Sequence, residues 1–291
     1  MDVDAFYFKD ARSMAEVGDE SIALVVTSPP YWNVKDYSLD GNQERLCHAR
    51  VEGQIGDIDS YESYLQALTE VWRECERVLK PNGKLCVNAP IMPIPKKVMR
   101  NGHTRYIVNI YAGIERELLA KTGLKLMDVY IWERSNPTKR LMFGSYPYPS
   151  NFYAQNTSEF IGVFVKGGEP EKRSLEIKGA SRLTEEEWVE YTRQIWRIPI
   201  PNRGEPGYAD HPALMPVELA RRLIRLYSFV GDAVLDPFMG AGTTARAAGE
   251  LSRRFVGYEV NPGYRPIIER RLNQPLDVLC TTSIKLEAAD E

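Results

Sequence analysis

The sequence lacks the features that would place it in a membrane or outside the cell. It contains no apolar run long enough to span a bilayer. Its first ten residues are acidic and aromatic, without the basic start and apolar middle of a signal peptide. We therefore expect a cytoplasmic protein with no membrane partner.

The sequence also lacks a basic excess, since its formal net charge is −3. That total does not indicate a nucleic-acid binder. It does not exclude one either, because binding to phosphates requires a local basic face rather than a basic total.

Cysteine is scarce and scattered. The four cysteines, at positions 47, 75, 86 and 280, form no close pair and no CxxC motif. This spacing argues against a zinc site or a dithiol redox centre. We expect reduced, mostly structural thiols and no bound metal.

The composition is that of a globular protein, with 43% hydrophobic and 26% charged residues in a chain of 291. Hydrophobic runs alternate with amphipathic stretches, which predicts an α/β fold. The predicted strands are 21–26, 84–88, 129–132, 160–165, 233–235 and 255–258. The predicted helices are 59–79, capped by Asp59, then 216–229 and 243–251, and residues 80–83 form a predicted turn. The polar stretches 33–57, 137–156 and 167–194 are predicted loops or insertions.

A glycine loop joins the strand predicted at 233–235 to the helix predicted at 243–251. Gly240 and Gly242 would allow a tight turn and a close approach of the backbone to a ligand. The helix that begins near Thr243 offers free N–H groups. The loop lacks the full GxGxxG spacing and the Gly-Lys-Ser/Thr of a P-loop, so a triphosphate is disfavoured.

Two carboxylates near this loop indicate which ligand it binds. Glu259 ends the next predicted strand, about twenty residues on, where it can accept hydrogen bonds from both ribose hydroxyls. Asp236 suits a ligand that carries positive charge. S-adenosylmethionine has a ribose, an ammonium and a sulfonium, so the combination favours this cofactor. A lone GxG would instead be an ordinary strand-to-helix turn.

The second unusual loop, residues 27–32, follows the predicted strand 21–26 directly. Open α/β sheets bind ligands at the carboxyl ends of their strands. Pro29 and Pro30 fix φ and have no N–H to donate, so the loop presents carbonyl oxygens, the Ser28 hydroxyl and the Tyr31 ring.

That set of groups suits the exocyclic amine of a nucleic-acid base, whose lone pair is delocalised into the ring. Hydrogen bonds from the amine to Ser28 Oγ and the Pro29 carbonyl would localise the lone pair and aim it at a methyl donor. Tyr31 could stack on the base, a contact of roughly 1–3 kcal/mol. The alternative is a proline-rich turn whose aromatic residue packs in the core. We expect Trp32 to pack rather than to act in chemistry.

These loops resemble the motifs of amino-methyltransferases that act on DNA. The resembling segments are Ser28-Pro29-Pro30-Tyr31 (motif IV), His211-Pro212 with 216–224 (motif X), 236–242 (motif I) and Glu259 (motif II), with further likeness at 53–56 and 79–83. The order, with the catalytic loop first and the cofactor loop last, is that of the permuted beta group. The resemblance covers about residues 24–271.

The resemblance implies a Rossmann-like S-adenosylmethionine-dependent methyltransferase fold in circularly permuted motif order. It implies one catalytic domain over 1–291, with a mostly parallel seven-stranded sheet that contains one reversed strand. The target base would be flipped out of the DNA duplex. The implied catalytic residues are Ser28, Pro29, Pro30 and Tyr31. The implied cofactor residues are Thr27, His211, Asp236, Pro237, Phe238, Gly240, Gly242, Thr243 and Glu259.

Ser28 bears on the choice of base, because family members with serine at this position mostly methylate N4 of cytosine. Physical chemistry alone does not force this choice, since both cytosine and adenine show an amine beside a ring-nitrogen acceptor. An N6-adenine enzyme of the same fold stays open, as do an amine methyltransferase for RNA or protein and a non-catalytic DNA-binding protein. Methylation of carbon-5 is disfavoured because it needs a cysteine nucleophile, and no Pro-Cys motif is present.

Basic residues interleaved with aromatics indicate where double-stranded DNA binds. The expected DNA contacts are Lys96, Lys97, Arg100, Arg105, Lys139 and Arg140. The alternative for each is a solvated surface. Target recognition is expected in the insertions 33–57, 137–156 and 167–210. The sequence leaves open whether a cognate restriction endonuclease is a partner and whether the protein is a monomer or a homodimer.

Overall fold

The structure is a computed structural model that describes residues 4–32, 51, 53–93, 107–135, 147–149, 154, 156–202, 208 and 213–273. The strands are β1 (Ala5–Tyr7), β2 (Ile22–Thr27), β3 (Leu79–Pro93), β4 (Ile107–Asn109), β5 (Lys125–Arg134), β6 (Ser158–Val165), β7 (Ile195–Ile198), β8 (Ala233–Asp236) and β9 (Arg254–Tyr258). The helices are α1 (Tyr61–Val78), α2 (Ile110–Lys121), α3 (Leu175–Ala180), α4 (Glu185–Tyr191), α5 (Val217–Tyr227), α6 (Thr243–Glu250) and α7 (Arg265–Leu272). Short 3-10 helices lie at Ile55–Asp57 and Pro262–Tyr264.

The strands form one sheet in the order β1-β9-β8-β2-β3-β6-β5-β7, and β4 pairs with β3. Neighbours along this path are parallel except at β6, which runs antiparallel to both β3 and β5. The predicted mostly parallel α/β sheet is confirmed, but the expected single reversed strand is not, because the short strand β4 also pairs antiparallel with β3. The sheet is larger than the seven strands expected, because β4 and β7 extend it.

The chain leaves β2 and β8 in opposite directions across the sheet. These strands are parallel neighbours, with Leu24 opposite Val234 and Val25 opposite Leu235. From β2 the chain passes through α1 to β3 on one side, whereas from β8 it passes through α6 to β9 on the other. Such a divergence opens a crevice at the carboxyl ends of the two strands, which is where open α/β sheets bind their ligands.

Both faces of the sheet are covered, as the near-continuous apolar sequence of β2 requires. Successive side chains of a strand point to opposite faces. Val25 therefore packs in one core with residues of α1 and α2, and Leu24 packs in a second core with residues of α5 and α6. Cys75 and Cys86 are buried, one in each core, which confirms their prediction as structural thiols. Among the described helices, none is long and apolar enough to cross a membrane.

The structure corrects three local predictions. Residues 80–83 do not form a separate turn but lie within β3, where the pairing with β2 has a register shift between Ile22 and Leu24. Asp59 does not cap α1, because Ser60 is the N-cap residue and its hydroxyl accepts a hydrogen bond from Ser63 N. The stretch 167–194 is not a plain loop, since it contains α3 and α4. α4 is held against α5 by ion pairs of Glu187 with Arg225 and of Glu190 with Arg222. A helix of about two turns gives too few apolar repeats to be detected from periodicity.

Candidate functional site

A cavity opens at the carboxyl ends of β8 and β2, at the divergence described above. Its space is about 970 Å³, a figure that includes the open mouth. The lining residues are 9–11, 28–31, 53–55, 213–215, 236–241, 243, 259, 260 and 264. The fold thus brings together the two loops that the sequence singled out, although more than two hundred residues separate them.

The glycine loop turns sharply between β8 and α6. Gly240 and Gly242 have φ values of +50° and +80°, which L side chains rarely adopt. A Cβ on Gly242 would make only ordinary contacts, the nearest being Met239 Cε at 3.5 Å. Backbone conformation rather than crowding therefore requires glycine there. Gly242 is the N-cap residue of α6 and has no capping side chain, so the first N–H groups of that helix depend on other partners.

Glu259 fastens the glycine loop to the end of β9. Its Oε2 accepts a 2.8 Å hydrogen bond from Gly240 N, and its Oε1 accepts one of 2.8 Å from Asn261 N. Burial raises the pKa of Glu259 to about 7, although both N–H donors act to lower it. Each carboxylate oxygen can accept more than one hydrogen bond, so Glu259 retains acceptor capacity for two neighbouring hydroxyls of a ligand.

Asp236 connects the two loops through hydrogen bonds. Its Oδ1 accepts hydrogen bonds from Thr27 Oγ1 at 2.7 Å and Phe238 N at 3.0 Å, and its Oδ2 accepts one from Thr244 Oγ1 at 2.7 Å. The residue is 4% exposed. Burial raises its pKa to about 6, against the effect of these donors. Asp236 therefore organises the cavity wall and places negative charge beside it.

The loop at residues 27–32 places Ser28 at the cavity, with its hydroxyl 3.1 Å from Tyr31 Oη. Tyr31 Oη donates in turn to Glu159 Oε2 at 3.2 Å. The Pro30 carbonyl accepts a 3.0 Å hydrogen bond from Tyr64 Oη, which anchors the loop on α1. Trp32 is buried and donates to the Ile58 carbonyl, so its predicted packing role is confirmed.

Most of the predicted cofactor residues lie in the cavity wall. Pro237, Phe238, Gly240, Thr243 and Glu259 line it together with Asp236. Thr27 and Gly242 lie behind the wall: Thr27 holds Asp236 and Gly242 sets the turn. His211, the six predicted DNA contacts and most of the insertions at 33–57 and 137–156 lie outside the described residues.

Several lining residues are absent from the predicted set. Residues 53–55 had a signal, because that segment was among the resembling ones, and 213–215 directly follow the resembling His211-Pro212. Lys9 and Asp10 follow the three-residue strand β1, which is too short for a periodic pattern. Tyr264 lies in a 3-10 turn after β9.

The chemical groups that line the cavity fit S-adenosylmethionine. Glu259 offers paired acceptors for a ribose diol, and Asp236 offers negative charge for the ammonium and sulfonium. Pro237, Phe238 and Ile55 supply apolar wall for a flat heterocycle. Among the described residues, no three His, Cys, Asp or Glu side chains cluster as a metal site would require.

Comparison with known proteins gives a consistent picture. The profile of the DNA methylase family N6_N4_Mtase matches residues 22–270. The Type II methyltransferase M.MjaI of Methanocaldococcus jannaschii is 36% identical over 91% of this chain and 89% of its own length. The Type II methyltransferase M.MthZI of Methanothermobacter thermautotrophicus is 31% identical over 93% of this chain and 76% of its own. A candidate DNA modification methylase from Thermus thermophilus, solved with S-adenosyl-L-methionine, superposes with a TM-score of 0.70 at 32% identity over 92% of each chain.

Proposed function

This chain belongs to the N6/N4 DNA methylase family, and we propose that within it the chain methylates the N4 amino group of cytosine in duplex DNA. The observation that carries the proposal is Ser28, whose neutral hydroxyl lies in the cavity wall beside the cofactor loop. Serine at this position resembles the cytosine-N4 members of the family, whereas the adenine-N6 members mostly have aspartate or asparagine.

Members of this family take their methyl group from S-adenosyl-L-methionine, which presents it as an electrophile on a sulfonium. In this chain, Glu259 would hold the ribose hydroxyls and the 236–241 loop would enclose the methionine part. Asp236 would supply negative charge that favours a positively charged ligand. These residues would hold the methyl donor in the same cavity that Ser28 lines.

The catalytic loop prepares the amine. Ser28 Oγ and the Pro29 carbonyl would accept the two N–H groups of a flipped base, which localises the nitrogen lone pair and orients it. Tyr31 lines the same cavity, although it is only 6% exposed and belongs to the hydrophobic core, and its ring would pack on the base. Methylation leaves an acidic ammonium that loses its proton readily, so the site needs no strong general base and forms no covalent bond to the base.

The decisive experiment is mass spectrometry of nucleosides from DNA treated with the enzyme and cofactor. N4-methyldeoxycytidine is the expected product. N6-methyldeoxyadenosine would keep the mechanism and overturn the assignment from Ser28, whereas 5-methyldeoxycytidine would overturn the mechanism. Absence of any methyl transfer, with intact cofactor binding, would favour a non-catalytic DNA-binding role. The Ser28→Ala variant should slow transfer by about 10- to 1,000-fold and leave cofactor affinity nearly unchanged.

Two relatives named above are Type II methyltransferases, which supports a proposal for the biological setting. We propose that the chain modifies a specific DNA site, as part of a restriction-modification or related system with or without a cognate endonuclease. Lys96, Lys97, Arg100, Arg105, Lys139 and Arg140 are the proposed contacts to DNA. The insertions 33–57, 137–156 and 167–210 are the proposed recognition segments.

A further inference from the structure

A buried carboxylate lies directly behind the catalytic loop. Glu159, near the start of β6, is 6% exposed. Its Oε2 accepts hydrogen bonds from Tyr31 Oη at 3.2 Å and from Asn88 Nδ2 at 2.7 Å. Arg134 Nη1 lies 3.8 Å from its Oε1, so the charge of Glu159 has a cationic neighbour on β5.

The number of available protons sets the direction of the hydrogen bonds that connect Ser28, Tyr31 and Glu159. An ionised carboxylate only accepts, and a tyrosine hydroxyl has a single proton. Because Tyr31 donates that proton to Glu159, the 3.1 Å bond between Ser28 and Tyr31 must be donated by Ser28. The Ser28 proton then points toward Tyr31 Oη, and the lone pairs of Ser28 Oγ are left as acceptors.

We propose that Glu159, acting through the Tyr31 hydroxyl, is a positioning residue that keeps Ser28 in its acceptor state. This inference rests on the proposed function, because an acceptor at Ser28 is what the N–H of a base amine requires. With the opposite direction, Tyr31 would donate to Ser28 and the Ser28 proton would meet the amine N–H.

The hydrogen-bond relay from Ser28 through Tyr31 to Glu159 would also contribute to the choice of base. Ser28 and the Pro29 carbonyl both present acceptors, so they favour an exocyclic amine and oppose an exocyclic carbonyl oxygen. A flipped uracil or thymine would place its O4 against these acceptors and lose the hydrogen bonds that cytosine makes. The relay therefore gives the Tyr31 hydroxyl a task separate from the stacking surface of its ring.

The first test is a double-mutant cycle. Glu159→Gln, whose amide can donate to Tyr31 and reverse the chain, and Tyr31→Phe, which keeps the ring, should each lower the rate of methyl transfer by about 10- to 100-fold. The combined variant should be no slower than Tyr31→Phe alone, since that change already cuts the relay. Cofactor affinity should be unchanged in all three.

Glu133→Gln, in an exposed ion pair with Arg197, is the matched control and should transfer methyl groups at the normal rate. If Glu159→Gln lowers the rate equally with and without Tyr31→Phe, Glu159 has only a structural role.

The second test uses binding and stays informative if Glu159→Gln does not fold. Once the modified site has been mapped, DNA affinity is compared for duplexes with the target cytosine or with uracil in its place. Tyr31→Phe should narrow the preference for cytosine by about tenfold, because Ser28 can then donate. An unchanged preference would overturn the relay. If the product proves to be N6-methyladenine, hypoxanthine replaces adenine in the same comparison, so failure of the cytosine assignment is distinct from failure of the relay.

Discussion

Thr27 Oγ1 donates a 2.7 Å hydrogen bond to Asp236 Oδ1, and these two residues are 209 positions apart in the sequence. Thr27 ends β2 and Asp236 ends β8, so the bond joins the two strands where the chain diverges. The Thr244 hydroxyl, which also donates to Asp236, extends the link into α6. The loop at 27–32 and the glycine loop, proposed to hold the base and the cofactor, are therefore fixed to each other through one carboxylate.

Removing that link should cost stability. Thr27→Val keeps the shape of the side chain but leaves buried Asp236 with one donor fewer, which should lower the free energy of unfolding by about 1–3 kcal/mol. Urea denaturation measures the change. Thr192→Val removes a hydroxyl that bonds within the exposed end of α4 and serves as the control. An equal loss of unfolding free energy in both variants would show that the hydrogen bond to Asp236 stabilises the fold no more than an exposed one does.

Glu259 should contribute directly to cofactor affinity. Glu259→Ala removes both the acceptors for the ribose and the bonds to Gly240 N and Asn261 N, so binding should weaken by about 1–3 kcal/mol in calorimetric titration. Glu269→Ala, on the exposed side of α7, is the control and should bind normally. Unchanged affinity in the Glu259 variant would remove this residue from the site.

Cofactor binding should strengthen as the pH rises from about 5.5 to 8. Burial raises the pKa of Glu259 to about 7 and that of Asp236 to about 6, so a fraction of each is protonated near neutrality. A cationic ligand that donates hydroxyl groups favours the ionised forms, and its binding should release protons. Calorimetry in buffers of different ionisation enthalpy counts those protons. The comparison with Glu259→Ala cancels the titration of the cofactor itself, and an identical pH slope in that variant would contradict the prediction.

Affinity for duplex DNA should fall steeply with salt concentration in spite of the acidic total charge. Counterion release makes the slope a measure of phosphate contacts. Replacing Lys96, Lys97, Lys139 and Arg140 by alanine should flatten it. Lys121 and Lys125 are exposed near the amino end of β5, at the end of the sheet opposite the cavity, and their replacement should leave the slope unchanged. The same slope in both multiple variants would mean that the DNA face lies elsewhere.

The central strands and the cofactor loop were predictable because their signals are local. Each signal lies within a few neighbouring residues: the apolar run of β2, the glycines after β8 and the acidic residue after β9. The Tyr31 to Glu159 contact could not be predicted, since Glu159 lies at the start of an ordinary strand and only the pairing of β6 with β3 brings it behind the catalytic loop. The double use of Asp236 escaped detection for the same reason: its partners Thr27 and Thr244 come from different elements.

The part of the sheet formed by β8, β9 and β1 can be completed only late in synthesis of the chain. β1 pairs with β9, and Phe255 N donates to Asp4 Oδ1 across 251 positions of the chain. During synthesis, residues 5–7 have no strand to pair with until β9 has emerged from the ribosome. Contacts of such long sequence separation also form slowly. The half that would bind the methyl donor is thus completed late, so an incomplete chain would be unable to modify DNA.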